Sequence, residues 1–201
     1  MAAENEDLHG SAPDKAEVAL LLIDLINDLE FEGGKDLLKH ALPVAERVAA
    51  LKKRAKRAGI PVIYVNDNFG KWQSDFRRLL THCREEGVCG KPLADLLQPE
   101  EDDYFVLKPK HSGFFSTTLD TLLEYLQVKT LILTGLTGDI CVLFTANDAY
   151  MRDFHLIVPA DCVASNDESE NKHALAHMAR VLKADTRRST ELSFDELNER
   201  R

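Results

Sequence analysis

Residues Val18 to Ile23 form an unbroken apolar run that stops at a carboxylate, Asp24. A strand of that kind has two faces to hide, so it belongs in a sheet covered on both sides. The pattern recurs: Val62-Ile63-Tyr64-Val65 runs into Asn66 and Asp67, Tyr104 to Leu107 into Lys108, and Thr130 to Thr134 into Gly135-Leu136-Thr137-Gly138-Asp139. Between these runs lie segments of helical period. In 35–58, Leu37, Leu38, Leu42, Val44, Val48 and Leu51 recur every three or four residues, with Pro43 as a potential interruption and Gly59 as a stop. Further helices are predicted over 74–84, 118–126, 140–152 and 168–182, with short strands at 155–159 and 185–189. About six alternations of strand and helix imply an α/β fold, a three-layer α/β/α sandwich around a parallel sheet. Such sheets bind ligands beyond the carboxyl ends of their strands, where the strand order reverses. Asp24, Asp67, Lys108 and the stretch from Gly135 to Cys141 are therefore the places to look for function.

The 201 residues suit one domain, and 44% hydrophobic content excludes a disordered chain. A net charge of -9 argues against nucleic acid and anionic membrane surfaces as partners. The one dense basic run, 47–57, falls on a helix and reads as its solvated face. Residues 1–16 are polar and acidic, the reverse of a signal peptide, and read as a flexible leader before a domain at 17–190; 191–201 reads as a charged tail. No apolar stretch reaches the roughly 20 residues of a membrane span. Cys83, Cys89, Cys141 and Cys162 show no C-x-x-C pair and no disulfide framework, so a reducing, cytoplasmic setting is expected.

Dinucleotide, P-loop and serine-elbow signatures are all missing. His173 and His177 stand four apart on a helix, but Ala174 fills the place of a zinc protease's glutamate. Cys141 differs, because it opens the helix after the Thr130 run. Unpaired N–H groups and the positive end of the helix dipole there favour a thiolate and can hold an oxyanion. Asp24 and Lys108 end apolar strands and need partners to be buried as ions. Together they make a nucleophilic site, with Lys108 stabilising sulfur and Asp24 carrying the thiol proton. Spacing alone equally allows a Lys-Asp pair plugging the sheet, with Cys141 as packing.

Three segments, Leu21-Leu22-Ile23-Asp24-Leu25-Ile26-Asn27-Asp28, the stretch from Val106-Leu107-Lys108 to Phe115-Ser116-Thr117, and Leu133 to Val142 with Gly138-Asp139-Ile140-Cys141, resemble the isochorismatase-like cysteine hydrolase family in order and spacing. The resemblance covers about 18–190. It implies a six-stranded parallel sheet of order 3-2-1-4-5-6 and a catalytic triad of Asp24, Lys108 and Cys141. It also implies a cis peptide at Leu136-Thr137, an oxyanion hole from the backbone N–H groups of Thr137 and Cys141, and a homo-oligomer of two or four copies. Members acting on nicotinamide hold a metal through Asp-x-His; here that stretch is Asp67-Asn68-Phe69, so no metal or other cofactor is expected. Phe69 and Trp72 are candidates for lining a substrate pocket, with core or interface packing as the other reading. Ile26 stands where the family often carries Gln. Retention of Cys141 favours cleavage of a C–N bond in a small amide or imide through an acyl-enzyme. The alternatives are vinyl ether hydrolysis of the isochorismatase type, and a weakly catalytic binding or regulatory module.

Overall fold

The computed structural model describes residues 15–69 and 75–199. Its elements run β1 (Val18–Ile23), α1 (Gly34–Arg57), β2 (Val62–Asp67), α2 (Phe76–Cys83), α3 (Lys91–Leu96), β3 (Tyr104–Lys108), α4 (Leu119–Tyr125) and β4 (Thr130–Leu136). A π-helical turn at Gly138–Val142 follows, then α5 (Leu143–Tyr150), β5 (His155–Ile157), β6 (Val163–Ala164), α6 (Glu168–Val181), a 3-10 turn at Ser189–Glu191 and α7 (Phe194–Glu199). No helix among the described residues is long and apolar enough to cross a membrane.

The apolar strands serve two cores at once. In β1, Val18, Leu20 and Leu22 join α1 and α3, whereas Ala19, Leu21 and Ile23 join α4, α5 and α6 on the other face. The period-two alternation of a strand therefore hides inside a sequence with no visible alternation. All six residues of β1 are buried, as are the last six of β4. Pro43 lies inside α1 without ending it. The basic face of that helix is also more than a solvated one. Lys52 is buried against Asp103, Lys56 reaches the same carboxylate at 2.9 Å, and Arg54 binds the carbonyls of Ser189 and Leu192. That contact fastens the carboxyl-terminal segment, where Leu192 and Phe194, within the stretch read as a charged tail, are buried in the core. Ala16, at the edge of the segment read as a leader, donates its N–H to the Leu126 carbonyl, and residues 1–14 lie outside those described.

Every pairing among the strands is parallel, in the order β3-β2-β1-β4-β5, with β6 beside β4. The class is the expected one, and the order 3-2-1-4-5-6 needs a correction at its last strand. β5 pairs with only the first three residues of β4, after which a turn closed by the Cys162 N–H on the Pro159 carbonyl brings β6 against Gly135 and Leu136. The strand predicted over 185–189 shrinks to one bridge between Asp185 and Ile157. Its continuation is drawn away, because Arg187 folds onto the Asp185 carboxylate and Ser189 binds Asp161 through both its N–H and its hydroxyl.

The order reverses between β1 and β4, and there the two backbones meet closely. At Gly135, with φ of +125°, a Cβ atom would lie 1.9 Å from the Ile23 carbonyl oxygen. Only glycine fits that contact, which sets Asp24 next to the turn that carries Cys141. Gly135→Ala is expected to cost at least about 3 kcal/mol in a urea melt, combining overpacking against backbone with a disfavoured φ.

Candidate active site

Asp24 leaves β1 with φ of +50°, a left-handed conformation that Asp tolerates better than most residues, and its N–H donates to Val65. The residue is 6% exposed, and both carboxylate oxygens have partners. Oδ1 accepts the Asp67 N–H at 2.7 Å, and Oδ2 lies 2.8 Å from Lys108 Nζ. Lys108 comes from β3, two strands away, and its long stem crosses the end of β2 to make this contact. Two strand spacings of about 4.8 Å are within reach of a lysine and out of reach of a shorter cation. The residue is wholly buried, and its ammonium also stands 3.5 Å from Cys141 Sγ and 3.8 Å from Asp67 Oδ2.

Cys141 sits in the π-helical turn, where the Val142 N–H bonds back to the Thr137 carbonyl over five residues. Such turns widen a helix and recur at functional sites. The Leu136-Thr137 peptide before it is cis. Thr145, one turn on, donates its hydroxyl to the Cys141 carbonyl at 2.7 Å and accepts the Gly113 N–H at 3.0 Å. His111, in the loop after β3, places Nδ1 3.9 Å from Sγ.

The electrostatics of the sulfur reverse the expectation drawn from helix position. Burial pushes the Cys141 thiol up to about 12, the Asp24 charge adds to that, and Lys108 opposes both without prevailing. Loss of water at the sulfur outweighs the favourable field of the helix end. Burial therefore favours the thiol over the thiolate at Cys141. Burial likewise raises the Asp24 carboxyl, against the pull of Lys108, which makes it a stronger base than an exposed carboxylate. For Lys108, burial works to lower its pKa, but Asp24, Cys141 and Asp67 raise it on balance, so it stays an ammonium.

A cavity of about 540 Å³ opens beside this group and shares Asp67 with it. Phe69 lines the cavity and is 39% exposed, whereas Trp72 lies outside the described residues. Arg78 and His82, one turn apart on α2, contribute to the same wall and escaped the sequence reading. Their i, i+4 spacing in a segment of weak apolar period was the available signal. The Asp-x-His metal arrangement does not fit here. Phe69 offers no ligand, and the Asp67 carboxylate accepts the Phe69 N–H and faces Lys108. A different group, Asp28, Glu30 and His82, brings ligand-type atoms within 4.8 Å of one another and could hold a cation near the cavity. Ile26 is fully buried in the core. His173 is exposed on α6.

With this geometry in view, comparison with known proteins is decisive. Residues 18–188 match the isochorismatase domain. The chain belongs to the isochorismatase family. It is 44% identical over 171 residues to the isochorismatase family protein YaaI of Bacillus subtilis (strain 168), covering 85% of this chain and 93% of that one. It is 30% identical over 195 residues to the ureidoacrylate amidohydrolase RutB of Methylobacterium radiotolerans, with 83% and 75% covered. Among solved structures, the N-carbamoylsarcosine amidase of Thermoplasma acidophilum aligns with a TM-score of 0.67 at 29% identity, over 89% of this chain and 99% of that one.

The thiol state has a direct readout. Alkylation of Cys141 by iodoacetamide at pH 7.5, followed by peptide mass mapping, is expected to run more slowly than that of a free thiol, whose pKa is near 8.5. A rate equal to or above that of a free thiol is the outcome that contradicts this account.

Proposed function

We propose that the protein is a cysteine hydrolase cleaving a C–N bond in a small amide, urea or imide through an acyl-enzyme on Cys141. The observation that carries this reading is the single ammonium of Lys108 touching both the Asp24 carboxylate and the Cys141 sulfur. As the C–S bond forms, the thiol proton passes to Asp24, whose raised basicity offsets part of the rise that burial imposes on the thiol. Lys108 offsets the negative charge that moves between sulfur and carboxylate without itself giving up a proton. The carbonyl oxygen takes up charge against the backbone N–H groups of Thr137 and Cys141. Collapse of the tetrahedral adduct breaks the C–N bond, and Asp24 returns the proton to the departing nitrogen. Water then releases the acid from the thioester.

Two named relatives support the C–N assignment, one an amidohydrolase and the other an amidase. The cavity, which has Phe69 as an apolar wall, meets the proposed catalytic group only through Asp67 and is not lined by Cys141. Family resemblance adds a homo-oligomer of two or four copies to the proposal, which sedimentation of the purified chain reads directly.

Ammonia release across a panel of small amides, ureas and imides, run beside isochorismate, tests the reaction class. On any substrate found, Cys141→Ala should lower turnover by a factor of about 10³ or more. Full turnover in that variant, or consumption of isochorismate alone, sinks the reading. The pH profile is a second check. Asp24 must be ionised to take the thiol proton, and its pKa is raised, so activity should fall with acidification through a value above the usual carboxylate figure of about 4.

A further inference from the structure

We propose that His111 is a further catalytic residue, the base that activates the hydrolytic water in the second half of the reaction. This rests on the acyl-enzyme reading above and assigns a step within it. The motif that carries Lys108 also carries His111 three residues on, and the sulfur of Cys141 contacts both side chains. Their surroundings differ completely. Lys108 is fully buried, whereas His111 is exposed, so the imidazole meets bulk water at the nucleophile and the ammonium does not. Asp24, 6% exposed and bound to the Asp67 N–H and Lys108, meets bulk water less readily than the exposed imidazole.

The loop that holds His111 is built onto the helix of the nucleophile. Its Gly113 N–H reaches the Cys141 carbonyl through the Thr145 hydroxyl, its buried Ser112 hydroxyl bonds to Asp148 on α5, and the imidazole packs on the Phe144 ring with centroids 5.3 Å apart. On the other side, a Cβ at Gly113 would lie 2.9 Å from a Val65 methyl, so the absence of a side chain there lets the loop sit close against the sheet. These contacts pin the imidazole in relation to Sγ, which is what proton transfer to and from a reacting group requires.

The step balances as follows. Water adds to the thioester carbonyl carbon, and as the C–O bond forms one water proton goes to His111 Nδ1. The tetrahedral adduct then breaks its C–S bond, the electron pair goes to sulfur, and the proton held on Nδ1 passes to Sγ. Free acid and thiol result, with the imidazole neutral again and its own proton on Nε2 throughout.

4-Nitrophenyl acetate separates the two halves without knowledge of the natural substrate, since the nitrophenolate burst reports acylation of Cys141 and the steady phase reports deacylation. In His111→Ala and His111→Gln the burst should persist, the steady phase should fall by about 10²-fold, and acetyl-Cys141 should accumulate in the peptide mass map. Added imidazole should restore the steady phase of His111→Ala, which a merely structural role for the side chain would not permit. An unchanged steady phase, or a burst slowed in both variants, overturns the assignment while leaving the acyl-enzyme intact. Absence from the wild-type protein of any burst removed by Cys141→Ala overturns the underlying reading instead.

Discussion

A lysine and an aspartate are held out of water at the carboxyl end of this sheet, and much of the molecule follows from the need to keep them together. Removing two charges from solvent costs several kcal/mol for each ion, recovered only when their partners are positioned well. Here the Asp67 N–H and the Asp24 carboxylate supply those partners, and both depend on the register of β1, β2 and β3. A slip of one residue in β3 would turn Lys108 to the opposite face. The apolar packing on both sides of β1 and β4 is what makes such precision affordable.

The same burial governs the chemistry. It holds the proton on the thiol and makes the carboxylate more basic than usual, so the two shifts act in opposite senses on transfer of a proton between them. Burial thus lowers the reactivity expected of Cys141 towards electrophiles in solution, whereas a pre-formed thiolate on an exposed helix end would react with them readily.

Much of this was readable from the chain itself. Runs such as Val18 to Ile23 and Thr130 to Thr134 announce doubly covered strands because burial on both faces erases polar alternation. Charged residues at their ends stand out because a buried ion without a function or partner is costly. Legibility failed where tertiary contacts outweigh local preference. β6 is two residues long and exists because a turn returns it to β4, while α3 follows Gly90, which nests against the Asn27 carbonyl with no room for a side chain. The π-helical turn reads as ordinary helix, since one extra residue between Thr137 and Val142 leaves no mark on the apolar periodicity. His111 was visible within a motif, yet nothing in its spacing told that its ring would meet the sulfur, which depends on how the loop after β3 docks on α5.

Lys108 spans β2 to reach Asp24, so the reactive group draws on four neighbouring strands whose contributions are scattered along the chain. The carboxylate is made early in synthesis, near residue 24, and the sulfur more than a hundred residues later. These partners meet only through contacts between distant parts of the chain, the slowest kind to form. An incomplete or misassembled sheet carries the same side chains without their mutual influence. The proposed catalytic group is thus complete only once the whole sheet has closed.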